Sequence, residues 1–302
     1  LGCAHLGVAR ALCEAGVEID LFGGTSAGGA MAMALAMGAS PAHVMDGIED
    51  IFMRSRAFGR FTIPLYSVFD HHPFDAALLR HYGLTEIEDL PRNAFAVSTN
   101  LTSNEMHLHR KGLVWAAIRA SSSIPAALPP FVTSDGEVLV DGALVDNVPL
   151  RPMRSLKTGP NIVVALSPSR DWRVGAPYAA APARGRLARQ LALRRHRPMD
   201  FPRIFEVLSR SMMVTSRRTM RETDYSGDVR LVPPTVEGMG TMDWQLGRLQ
   251  EEAGYRYMSA LLEREGGLAA LFASGAVEIV APGQFGAGLA VVLACHRDAE
   301  AF

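Results

Sequence analysis

Cysteine is scarce. Cys3, Cys13 and Cys295 are the only three in 302 residues, too few and too scattered for a disulfide framework, and no C-x-x-C pair or His/Cys cluster suggests a zinc site. Long apolar runs are missing too: the most apolar tail stretch, Ala287 to Cys295, is far short of the roughly 20 residues a membrane-spanning helix needs. That stretch reads as a buried strand or helix, within a tail after Pro282 expected to be peripheral. Net charge is small, a formal −1 with 20% charged residues, which argues against a nucleic-acid binder. No signal-peptide pattern opens the chain, yet it starts inside a motif, so any targeting information would lie upstream and location is only weakly constrained. The expected location is cytoplasmic or peripheral to a membrane.

The charge that is present is segregated. Between Arg170 and Arg221 thirteen arginines stand against Asp171, Asp200 and Glu206, a local excess of about +10. Within that span Val174 to Pro202, rich in alanine, proline and arginine, reads as a flexible insert in an otherwise single domain of residues 1–302. Its plain reading is a solvated loop. Its functional reading is peripheral contact with an anionic membrane through Arg184–Arg197, with Phe201, Ile204, Phe205, Leu208 and Met212 following at helical spacing.

Periodicity places the elements. Ala4 to Ala15 reads as a helix stopped by Gly16. Val17 to Phe22 alternates as a strand, and Ala27 to Met37 is apolar on every side, a helix buried all round with Met31, Met33 and Met37 as core filling. Ser40-Pro41 supplies an N-cap and a first-turn proline for the next helix. Further strands are expected over Phe95–Asn100, Met106–Arg110, Val138–Val140, Asn161–Ser167 and Val229–Val232, and helices over Leu113–Ser121 and Ile204–Thr219. Strands interleaved with helices predict a three-layer α/β/α domain around a mostly parallel sheet.

Gly24-Thr25-Ser26-Ala27-Gly28 lies at the joint between that first strand and the buried helix. It matches G-x-S-x-G, a turn in which small neighbours let the backbones pack closely and push the serine oxygen outward. The helix that follows aims its positive dipole end at any oxyanion forming beside Ser26. A serine hydroxyl needs a base. His196 sits in the arginine-rich segment and His296 near the chain end, so a histidine triad is disfavoured. The better base is Asp141, at the carboxyl end of the strand Val138–Val140, where Gly142 permits a tight turn. Desolvation there raises a carboxyl pKa toward the range a general base needs. Asp146 is the rival; with Asn147 and Pro149 behind it, it reads as turn chemistry or loop support.

At these motifs the sequence resembles the patatin-like phospholipase family, nearest the bacterial relatives of neuropathy target esterase. The opening LGCAHLGVARAL is similar to the family's first motif and GGTSAGG to its elbow. Ser121-Ser122-Ser123-Ile124-Pro125 with Pro129-Pro130-Phe131 resembles the segment before its aspartate strand, and Asp141-Gly142-Ala143 its D-G-A motif. The resemblance implies a Ser26–Asp141 dyad and an oxyanion and elbow region at Gly2, Gly24, Ala27 and Gly28. It also implies a first strand and glycine-rich loop ahead of Leu1, of which Gly2 is the surviving part. The implied activity is hydrolysis of carboxylic esters in phospholipids or lysophospholipids through an acyl-enzyme, with no metal or cofactor. The rivals are a non-catalytic lipid-binding protein and a general esterase or thioesterase. Cys3 and Cys13 read as structural, His5 as a packed, hydrogen-bonded residue, and His71, His72, His107 and His109 as loop and strand-surface histidines rather than metal ligands.

Overall fold

The computed structural model describes residues 2–56, 58–166, 204–236, 244–273, 278–280 and 290–295. The insert expected at 174–202, and Arg184–Arg197 with it, lies outside the described residues. Helix α1 (Ala4–Glu14) ends at Gly16, whose φ of 73° turns the chain so that the amides of Gly16 and Val17 reach back to Cys13 O and Leu12 O. Val17 is taken up by this turn, so the strand expected from Val17 starts later. β1 runs Ile19–Thr25 and takes in Gly23 and Gly24 because they pair on both sides. Helix α2 (Ala27–Ala36) follows and is buried on nearly every side. Helix α3 (Pro41–Glu49) is capped by Ser40, whose Oγ accepts from His43 N at 3.2 Å.

Beyond it come α4 (His72–Tyr82), β2 (Asn93–Asn100), β3 (Glu105–His109), α5 (Val114–Ser121), β4 (Phe131–Val132), β5 (Val138–Asp141), α6 (Leu150–Leu156) and β6 (Asn161–Ala165). Then follow α7 (Ile204–Met212), α8 (Val214–Glu222), β7 (Val229–Val232), α9 (Gly247–Glu265), α10 (Leu268–Ala273), β8 (Glu278–Val280) and β9 (Ala290–Cys295). The single helix expected over Ile204–Thr219 is two, because at Met213 the amide turns back to Arg210 O.

The strands form one sheet in the order β4-β5-β2-β1-β9-β6-β7-β8, with β3 also on β2. On one face Leu6, Leu12, Met31, Met33, Ile118 and Met258 join α1, α2, α5 and α9 into the larger core. On the other, Phe95, Val97 and Val163 pack against Leu150, Met153 and Met220 from α6 and α8. The result is the three-layer α/β/α arrangement, but the sheet is mixed rather than mostly parallel. β1/β2, β6/β7 and β7/β8 run parallel, whereas the other described pairings are antiparallel. Two causes are visible. β2/β3 and β4/β5 join through short connections, and such hairpins are antiparallel by necessity. The tail, expected to be peripheral, supplies β9 to the middle of the sheet, against both β1 and β6.

Candidate active site

One strand acts as a ruler for the site. β3 takes one edge of β2 over Ala96–Asn100. The opposite edge is therefore shared: β1 pairs along it as far as Thr25↔Val97, and β5 from Ser98↔Asp141 onward. β1 runs with β2 and β5 runs against it, so their carboxyl ends meet head to head one residue apart on β2. Ser26 follows one strand end, and Asp141 is the other. Their separation of 115 positions in the chain closes to 2.7 Å between Ser26 Oγ, the donor, and Asp141 Oδ2.

The joint works only with small residues. A Cβ on Gly24 would collide with the carbonyl of Gly28 in the first turn of α2, and one on Gly142 with Val97 O and the Thr25 methyl. Ser26 has φ 56° and ψ −126°, a conformation an L-residue holds only when its surroundings over-determine it. Ser121 is one of those surroundings: its Oγ accepts from Ser26 N at 2.8 Å and donates to Val97 O at 2.6 Å. Thr25 Oγ1 adds a bond to Asp146 O at 2.8 Å.

Asp141 is fixed as firmly. Its Oδ1 accepts from Ala143 N at 2.9 Å, its amide donates to Ser123 O at 3.0 Å, and its carbonyl accepts from Thr99 Oγ1 at 3.0 Å. Ser216 on α8 donates to Ala143 O, holding the turn from behind. Burial pushes the Asp141 carboxyl up to about 6, against hydrogen bonds from Ser26 and Ala143 that pull it down. Asp146, the rival, is also buried and pushed up to about 6. Its carboxylate, however, accepts from Val148 N at 2.9 Å, the loop-supporting role its neighbours suggest.

Of the residues expected around an oxyanion, Ala27 and Gly28 open α2 directly behind Ser26, and Gly24 lies against them. Gly2 belongs to the turn before α1, its α-carbon side close to the Ala27 methyl and Met31. His5 Nδ1 donates to Gly2 O at 2.7 Å and ties that turn down. The four residues thus surround the amino end of α2, where amide groups and the helix dipole favour negative charge.

Two groups among the histidines have contacts that the sequence does not show. His109 is half-buried on β3: its Nε2 meets Ser98 Oγ at 2.8 Å, and burial holds its pKa down to about 3. Asp70 joins His71 and His72 in a group whose potential ligand atoms lie within 4.8 Å of one another, although His72 Nδ1 already contacts Asp70 at 2.7 Å.

Ser121, Thr25 and Arg119 carry roles that sequence patterns do not single out. Ser121 is one of three consecutive serines with nothing to mark it among them. Arg119 is the lone charge in the apolar helix α5, and that was its available signal. It is buried, donating from Nε to Asp75 at 2.6 Å, from Nη1 to Ser123 Oγ at 2.5 Å and from Nη2 to Pro129 O at 3.1 Å. Burial pulls its pKa down and Asp75 raises it.

A three-layer sheet domain with a serine elbow facing a strand-end aspartate defines a narrow class of α/β proteins. The chain belongs to the patatin-like phospholipase family, whose model matches residues 1–154. An uncharacterized NTE family protein of Mycobacterium tuberculosis is 32% identical over 269 residues, covering 87% of this chain and 45% of the relative. Lysophospholipase NTE1 of Meyerozyma guilliermondii is 30% identical over 269 residues, covering 86% of this chain and 18% of the relative. Patatin-like phospholipase domain-containing protein 7 of Rattus norvegicus is 32% identical over 170 residues, 55% of this chain and 12% of that protein. The chain therefore spans less than half the length of these relatives.

Proposed function

We propose that residues 1–302 form one catalytic domain, a serine lipid acyl hydrolase that cleaves carboxylic esters of phospholipids or lysophospholipids through a Ser26–Asp141 dyad. The observation that carries the reading is the 2.7 Å bond from Ser26 Oγ to an Asp141 carboxylate that burial has pushed up to about 6. A carboxylate with an ordinary pKa is too weak a base toward a serine hydroxyl; a raised one is better matched to it. Family membership and the lysophospholipase name of the fungal relative support the substrate class.

In this scheme Ser26 Oγ attacks the ester carbonyl carbon as its proton passes to Asp141 Oδ2. Negative charge collects on the former carbonyl oxygen at the amino end of α2, where the amides of Ala27 and Gly28 and the Gly2 turn are the candidate donors. Collapse breaks the bond to the alcohol, which leaves with the proton from Asp141, and the acyl group stays on Ser26. Water then attacks the acyl-enzyme, with Asp141 taking its proton, and the fatty acid departs as Ser26 recovers its own. Each oxyanion donor in such a site is worth about 100- to 1,000-fold in turnover. Arg184–Arg197, outside the described residues, would add peripheral attraction to anionic membrane.

Hydrolysis of a lysophospholipid in mixed micelles tests the proposal. Ser26→Ala and Asp141→Asn should each reduce turnover to background, and a variant that keeps wild-type turnover refutes the dyad. Comparison with a short-chain p-nitrophenyl ester separates a lipid hydrolase from a general esterase, since the latter would prefer the soluble ester.

A further inference from the structure

The segment between α3 and α4 presents the molecule's largest run of exposed apolar side chains among the described residues. Phe61, Ile63, Leu65 and Tyr66 are 77%, 76%, 78% and 84% exposed. Exposure on this scale within six residues marks an interaction surface rather than ordinary surface composition. Its backbone is not a loose loop. Phe61 bridges Phe69 in antiparallel fashion, Thr62 N donates to Val68 O at 2.9 Å, and Asp70 N donates to Arg60 O at 2.9 Å, so the four side chains crown a small hairpin.

The hairpin is anchored at its base. The Phe69 ring meets Phe58 edge-on at 5.6 Å, and Phe58 stacks on Phe52 at 5.7 Å. Phe74 closes the same aromatic group from α4. Val68 N and Phe69 N donate to Ala126 O and Ala127 O at 2.8 and 3.0 Å. That partner segment leads directly to the site, since Ser123, three residues earlier, accepts the Asp141 amide. The apolar tip and the base of the dyad are thus attached to one short stretch of chain.

Charge identifies the occupant. Arg54, Arg56 and Arg60 are exposed around the hairpin, and no Asp or Glu occurs between Asp50 and Asp70. Of those flanking carboxylates, Asp50 holds Arg80 and His81 and lies 4.0 Å from Arg54, and Asp70 holds His72, so Arg56 and Arg60 form the part of the rim that they leave unmatched. A second copy related by a twofold axis would bring this basic rim against itself with no local carboxylate to pair it. A bilayer containing anionic phospholipid matches both halves of the surface, apolar side chains for the acyl boundary and guanidinium groups for phosphate. We infer that the Phe61–Tyr66 hairpin tip inserts into the surface of an anionic phospholipid bilayer and seats the rim of the Ser26–Asp141 site against it.

The test is flotation with vesicles of phosphatidylcholine alone and of equimolar phosphatidylcholine and phosphatidylglycerol. It is carried out on the Ser26→Ala protein so that no lipid is consumed. The variant Ile63→Ser/Leu65→Ser/Tyr66→Ser should lower vesicle partitioning at least about tenfold, since three exposed large side chains lose their transfer into the interface. The variant Arg56→Glu/Arg60→Glu should abolish the preference for the anionic vesicles. Both sets of side chains are exposed, so thermal melting should match the parent protein. Wild-type partitioning retained by either variant overturns the inference. So does a parent protein that stays off both vesicles, or a concentration-dependent dimer that the tip variant dissolves. Binding is read without turnover, so its failure leaves ester hydrolysis standing, and loss of hydrolysis leaves this inference standing.

Discussion

Asp141 is held in a condition that favours chemistry over stability. A carboxyl whose folded pKa is raised, here to about 6 from an ordinary 3.8, stabilises the fold fully only below its unfolded pKa. That contribution is lost as pH rises through about 6, because ionisation is then easier in the unfolded chain. Asn in its place does not ionise and keeps an acceptor for Ala143 N. Asp141→Asn should therefore be the more stable protein at pH 8, by about 3 kcal/mol at most, with the advantage shrinking toward pH 4. Urea unfolding at the two pH values measures it, and an advantage unchanged with pH would show that burial does not control this carboxyl. Asp146 titrates in the same range, yet it touches Val148 rather than Ser26. Asp146→Asn should accordingly leave the acid limb of the pH–rate profile in place.

The elements carry the geometry through two contacts whose loss can be measured. Ser121→Ala removes the acceptor for the Ser26 amide and leaves that buried group unpaired, at a cost of about 1–3 kcal/mol. Turnover should fall at least tenfold as the elbow relaxes, and wild-type kinetics in Ser121→Ala would show that Gly24 and α2 alone hold it. Gly142→Ala drives a methyl into Val97 O, and its urea midpoint should shift to match a loss of roughly 1–3 kcal/mol.

At this scale it is also clear which parts of the molecule were legible in sequence. Ser26 and Asp141 could be named because their neighbours, glycines beside a strand end, are determined by local backbone needs that sequence records. The cap at Ser40 and the helix stop at Gly16 were legible for the same reason. Ser121, Thr25 and Arg119 were not, because each acts through a partner distant in the chain, and a hydroxyl or guanidinium looks the same whichever carbonyl it meets. The contact of His109 with Ser98 was not legible either, because sequence does not record the register that sets His109 across from Ala96, two residues from Ser98. Strand direction failed similarly: β4 and β5 are only two and four residues long, and hairpins that short leave almost no periodic signal.

Over the whole molecule, the tail matters more than its sequence suggests. β9 pairs with β1 on one side and β6 on the other, so without it the sheet divides into two groups of strands with open edges. Removing residues 282–302 should abolish the cooperative thermal transition and promote aggregation, as light scattering during melting would record. A truncated protein that melts like the full chain would place the tail outside the folding unit. β1, which carries the elbow, is one of the strands β9 holds, so the same truncation should also lower turnover.

The pairing of Ser26 with Asp141 is tested most directly by the rate at which a fluorophosphonate probe labels Ser26, followed by mass spectrometry across pH 4 to 8. If Asp141 is the base, labelling falls about tenfold per pH unit below about 6, since only the ionised carboxylate can accept the serine proton, and Asp141→Asn is labelled at least about 1,000-fold more slowly at pH 8. Labelling that is flat across this pH range, or that proceeds at the parent rate in Asp141→Asn, would contradict the account.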